Sequence, residues 1–79
     1  MLTPKQVLDL NYLEVRCALI EIAASLDRFD RAVAASQEKS SKAEQAQIDQ
    51  LYQALSLLAA RNAAPNRSER LLNLFTDPE

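Results

Sequence analysis

The chain has 79 residues, one cysteine, no histidine and no glycine, and its formal net charge is −2. One cysteine rules out an intrachain disulfide, and without histidine or a cysteine group there is no zinc-ligand pattern. The missing glycine excludes the glycine-rich phosphate cradles as written, because those need backbone to approach phosphate closely. A chain this short buries only about 60% of the surface its unfolded form exposes. Small cores of this kind are commonly supplemented by a staple or by oligomerisation, and no staple is present.

Helix one starts at a clear signal. Thr3 is placed as N-cap, Pro4 suits the first helical position and Gln6 completes a capping box. Leu2 and Val7 occupy the positions of a hydrophobic staple. Neither proline nor glycine follows for some thirty residues, so the helix is predicted over Pro4 to about Ala35. Ser36-Gln37-Glu38-Lys39-Ser40-Ser41 is polar and serine-rich, and reads as a short exposed link. Ser41 with Glu44 forms a second capping box, which starts helix two at Lys42. Pro65 cannot continue that helix and biases Ala64 away from α, so its end is expected near Ala63. Asn66 with Glu69 is read as the start of a third helix, from Arg67 to about Thr76, ending before Pro78. The fold class is therefore all-α, in one domain. An antiparallel hairpin of residues 4–35 and 42–63 carries a short C-terminal helix at 67–76, which either lines helix one or folds back. Dimerisation into a four-helix-type bundle is expected.

Helix one has two apolar stripes. Leu8, Tyr12, Val15, Leu19, Ile22, Leu26, Phe29 and Val33 alternate steps of four and three, a heptad seam. Leu10, Leu13, Cys17, Ile20 and Ala24 form a second seam, almost opposite the first at about 100° per residue. Glu14, Glu21, Ser25 and Arg28 border the second stripe on one side, and Asp9, Arg16 and Asp27 on the other. Helix two offers one main stripe, Ile48, Leu51, Leu55 and Leu58, flanked by Tyr52 and Ala59, with Leu57 standing off it. It is assigned to the first stripe of helix one. The second stripe then needs a cover: the same stripe of a second copy, helix three, or a different protein. A homodimer is the preferred reading. Asp27 and Arg31 extend the line of this stripe and form an i,i+4 pair in the favourable order. Leu10, Leu13, Cys17, Ile20, Ala24, Asp27 and Arg31 are thus the candidate interface.

Chemistry is sparse. The lack of histidine removes the usual general base and the common nucleophilic triads. Cys17 lies mid-helix, away from any helix N-terminus, and reads as a buried small hydrophobe. Glu14 and Glu21 share a face, but they border an apolar stripe as interface charges do, so no metal site is assigned. No catalytic residue and no cofactor is expected. Arg61, Arg67 and Arg70 surround the Pro65 corner and form a weak candidate phosphate contact. The plainer reading is that Arg61 complements the C-terminal dipole of helix two.

The resulting expectation is a homo-oligomeric protein–protein interaction or scaffold module, not an enzyme. It is placed in the cytoplasm, since no apolar run spans a bilayer and the N-terminus lacks a signal-peptide pattern. Two alternatives remain. One is a monomeric three-helix adaptor whose second face docks a different protein. The other is a small RNA- or DNA-binding regulator on a dimeric hairpin, similar in general architecture to the plasmid-encoded RNA-binding hairpin dimers but without a matching motif. The acidic balance, with a sequence pI of about 5.0, weighs against nucleic acid.

Overall fold

A computed structural model describes residues 1–62 and 64–76. Ala63, the expected end of helix two, and Pro78, the expected stop after helix three, lie outside the described residues. The described residues form three helices: α1 (Pro4–Ala35), α2 (Lys42–Ala59) and α3 (Arg67–Phe75). The chain divides into two units, Met1–Lys39 and Ser40–Glu79, and each is taken in turn.

The first unit is α1 with its flanks. The predicted capping box is present. The Gln6 backbone N–H donates to Thr3 Oγ1 at 3.2 Å, and the Thr3 N–H donates to Gln6 Oε1 at 2.9 Å. Two of the amides left without partners at a helix start are thereby satisfied. With 32 residues, α1 is about 48 Å long at 1.5 Å per residue. It ends at Ser36, whose hydroxyl accepts from the Glu38 N–H at 3.1 Å. That bond offers the chain a turn in place of a further helical step.

The second unit is a tight antiparallel pair. Ser41 and Glu44 form the second predicted box, with both bonds made at 3.1–3.2 Å. α2 then ends at Ala59, earlier than the sequence suggests, and Ala60 leaves the helix at φ −73, ψ 95. Arg67 supplies a physical reason. Its Nη2 donates to the Ala60 carbonyl at 2.7 Å and to the Arg61 carbonyl at 3.5 Å. A guanidinium on these carbonyls offsets the helical hydrogen bonds they forgo. At the other end of the pair, Gln50 Nε2 donates to the Leu74 carbonyl at 2.8 Å. The C-terminal end of α3 therefore lies beside the first half of α2, and its start lies beside the end of α2. Of the two courses open to helix three, it folds back.

The packing between α2 and α3 has a regular pattern. Gln50, Ala54 and Leu57 are spaced four and three, as are Arg67, Leu71 and Leu74, so each set shares a helix face. Ala54 is the one buried residue of the described chain, and the other five are half-buried. A small residue at the closest approach lets two helix backbones draw together, which is the role Ala54 plays here.

Asn66 departs from the predicted start of α3. It occupies the N-cap position, but its side chain makes no capping bond, and the box with Glu69 does not form. Its backbone, at φ −125 and ψ 29, lies outside the β-region typical of an N-cap whose side chain reaches the N2 or N3 amide. The Asn66 N–H instead donates to the Ala64 carbonyl at 2.8 Å, closing the corner around Pro65.

Candidate functional site

The residues nominated as an interface all project from α1. Leu10, Leu13 and Ile20 are 60–66% exposed. Cys17, Asp27 and Arg31 are exposed as well, and Ala24 is half-buried. The helix brings them into one line along roughly six turns. Cys17, expected as a buried small hydrophobe, is exposed in the single chain. The opposite stripe is open from Leu8 to Ile22 and half-buried at Leu26 and Phe29. No residue of α1 is buried.

The charges along the stripe are arranged differently from the expected i,i+4 pair. Arg31 turns its Nε to the Asp27 backbone carbonyl at 3.4 Å instead of to the carboxylate. An exposed ion pair is worth little against the side-chain freedom it costs, so the shorter reach to the helix carbonyl competes well. Arg28 donates from Nη2 to Ser25 Oγ at 2.9 Å. Among the described residues the side-chain ion pair of this protein is Lys5–Asp9, at 2.8 Å near the start of α1. Glu14, Arg16, Glu21 and Asp30 are exposed and take no part in it.

A second apolar surface belongs to the α2–α3 pair. About 100° per residue places Leu51, Leu55 and Leu58 roughly 80–140° round α2 from Gln50. Leu72 and Phe75 lie the same distance, in the same sense, round α3 from Arg67. Because the two helices run antiparallel, equal senses of rotation bring these side chains to the same side of the pair. Leu51, Leu58, Leu72 and Phe75 are all exposed, Leu72 by 72%. One flank of the hairpin is thus apolar. The opposite flank carries Asp49, Gln53, Arg70 and Asn73.

Of the three arginines at the Pro65 corner, Arg61 and Arg70 are exposed and Arg67 is half-buried. Arg67 spends its guanidinium on the two carbonyls that end α2. It thereby takes the capping role expected of Arg61, which lies beyond the last turn of that helix. A shallow surface depression at the corner is lined by Pro65, Asn66, Arg67, Ser68 and Glu69. Neither Arg61 nor Arg70 lines it, and an acidic side chain does. Among the described residues no group of three or more cysteine, aspartate and glutamate side chains is placed to hold a metal ion.

Sequence reasoning missed the inner face of the α2–α3 pair. Its signal was available: Leu57 stands off the main stripe of α2, and Ala54 and Gln50 precede it at the same heptad-like spacing. No described helix is long and apolar enough to cross a membrane. The chain matches no family profile, and neither the curated proteins nor the solved structures contain a match.

Proposed function

We propose that this protein is a non-catalytic, homo-oligomeric interaction module. In this reading the first stripe of α1 packs antiparallel against the apolar side of α2, completing a helical hairpin. The second stripe meets a second copy, so that two hairpins form a four-helix-type bundle. The bundle then scaffolds or docks a further protein in the cytoplasm, where a lone thiol stays reduced.

The observation that carries this reading is the pair of opposed apolar stripes on α1, with large side chains exposed on both. Covering a leucine or isoleucine fully is worth about 1.5–3 kcal/mol. Leu10, Leu13 and Ile20 alone represent a term comparable with much of a small domain's stability of about 5–15 kcal/mol. An isolated helix gains little from propensity and takes most of its stability from packing an apolar face. Two opposed faces call for two covers. The apolar flank of the α2–α3 pair suits one, since Leu51, Leu55 and Leu58 repeat at the spacing of the α1 seam. The net charge of −2 favours a protein partner over a nucleic acid.

The test is the mass of the full chain in solution. Light scattering after size exclusion is expected to give twice the 8.8 kDa of one chain. A mass of a single chain at tens of micromolar overturns the proposal.

A further inference from the structure

We infer that the second copy lies antiparallel on the second stripe of α1, in the register whose two-fold axis passes residue 22. This rests on the homodimer proposed above and adds its orientation and register.

The stripe Leu10, Leu13, Cys17, Ile20, Ala24, Asp27, Arg31 has the three-four spacing of a coiled-coil seam, and charges beside such a seam select orientation and partner. One bordering edge carries Glu14, Glu21 and Arg28, seven residues apart. The other carries Asp9, Arg16, Ala23 and Asp30 at the same interval. All of these are exposed, and the side chains of Glu14, Arg16, Glu21 and Asp30 are left out of the described ion pair. α1 runs unbroken from Pro4 to Ala35, so both edges are continuous.

In an antiparallel pair a two-fold axis sets each edge against its own copy. An axis opposite Glu21 pairs Glu14 with Arg28 of the second copy on the first edge. An axis opposite Ala23 pairs Arg16 with Asp30 of the second copy on the second edge. Both conditions are met by a single axis at residue 22, midway between them. The two edges are separate sequences of charge, and they select the same register. Along the seam the same register sets Ile20 against Ala24 and Leu10 against Ala34, large beside small; it also sets Cys17 against Asp27 and Leu13 against Arg31, two layers in which a charged side chain meets an uncharged one. The like pair it creates is Glu21 with its own copy, on the axis and at the solvent edge.

The other arrangements satisfy fewer of the edge charges. The next antiparallel register towards the N-terminus opposes Glu14 to Glu21 and Asp9 to Asp30. The next one towards the C-terminus keeps Glu21 with Arg28 but leaves Arg16 and Asp30 without charged partners. A parallel pair in register gains Arg16 with Glu21, but it stacks Asp27 on Asp27 and Arg31 on Arg31 within the seam and brings Asp9 towards Glu14. Like charges set opposite each other suppress wrong pairings as effectively as opposite ones favour right ones.

The full chain tests this with a charge exchange. Sedimentation equilibrium on Arg28→Glu is expected to show a dimer Kd raised about tenfold, from two lost edge pairs and two new repulsions. The double variant Glu14→Arg/Arg28→Glu restores the pairs with their signs exchanged, and is expected within about threefold of the natural chain. A short bis-maleimide gives a second readout. It is expected to join two copies of Cys17→Ser/Glu21→Cys efficiently. The natural chain should cross-link poorly, because its two Cys17 thiols would lie ten residues, about 15 Å, apart along the axis. A double variant as weak as Arg28→Glu, or a natural chain that cross-links as well as the engineered one, overturns the register. A natural chain that is monomeric overturns the homodimer itself, and the register with it.

Discussion

Replacing Ile20 by glutamate separates an interface role from a core role. Ile20 is 60% exposed in the single chain, so most of its side chain contributes nothing to the fold of that chain. Full burial of an isoleucine is worth about 1.5–3 kcal/mol. Covering the exposed 60% in a dimer accordingly contributes about 1–2 kcal/mol per copy, or about 2–4 kcal/mol for two. Ile20→Glu is expected to remove at least that, because a carboxylate at the seam must also be desolvated. The dimer Kd should rise by roughly thirtyfold to several hundredfold at 1.4 kcal/mol per decade. Light scattering across a dilution series reads the Kd, and far-UV circular dichroism reads the helix content. The expected result is loss of dimer mass, with melting lowered to the extent that association supports the fold. An unchanged mass and an unchanged melting curve would refute the assignment of this stripe to an interface.

The helix starts give a graded comparison. Thr3→Ala and Ser41→Ala each remove a formed capping box and are expected to cost about 1 kcal/mol. Asn66→Ala should cost clearly less, since the Asn66 side chain makes no capping bond; thermal melts of the three variants decide this, and an equal loss at Asn66 would count against the corner geometry. Arg67→Ala removes the guanidinium from the Ala60 and Arg61 carbonyls and is expected to cost about 0.5–1.5 kcal/mol. Its signature is faster amide hydrogen exchange in α3, read by NMR, and Arg61→Ala should leave that exchange unchanged.

Much of the fold was legible because its signals are local. The Thr3/Gln6 and Ser41/Glu44 boxes place the starts of α1 and α2 at the observed residues, and the unbroken run after Pro4 gives the extent of α1. The end of α2 was not legible in the same way. Pro65 forbids helix beyond Ala64, but it does not say where before that point the helix stops. That depends on Arg67, a residue beyond the corner, which serves the last carbonyls of α2 through space. The face joining α2 to α3 was hidden for a related reason. Its centre is Ala54, and a hydrophobic pattern weights leucine and isoleucine above alanine. The closest approach of two helices selects for the opposite. Asn66 and Glu69 show the converse error: a box-like sequence signal that the backbone of the corner leaves unused. At the candidate interface, the line of residues was readable from periodicity alone. The direction of Arg31 was not, because the Asp27 carboxylate and the Asp27 carbonyl are both within its reach.

The two units illustrate two solutions to the same shortage of apolar partners. α3, with nine residues, is too short to persist alone. It is retained by an alanine-centred contact, by the Gln50 bond to its last turn and by Arg67 at its first, which together hold both ends and the middle. α1 has the length to persist as a helix, and no residue of it is buried. Its apolar residues are spread along opposed seams instead of gathered on one face. A single neighbouring helix covers about one seam, so a helix of this design remains unsatisfied after any one pairing. The leftover seam is where an assembly can act without competing against the fold. In the homodimer proposed above, its bordering charges would select the partner through their antiparallel self-complementarity, another copy of the same chain being always present at equal concentration.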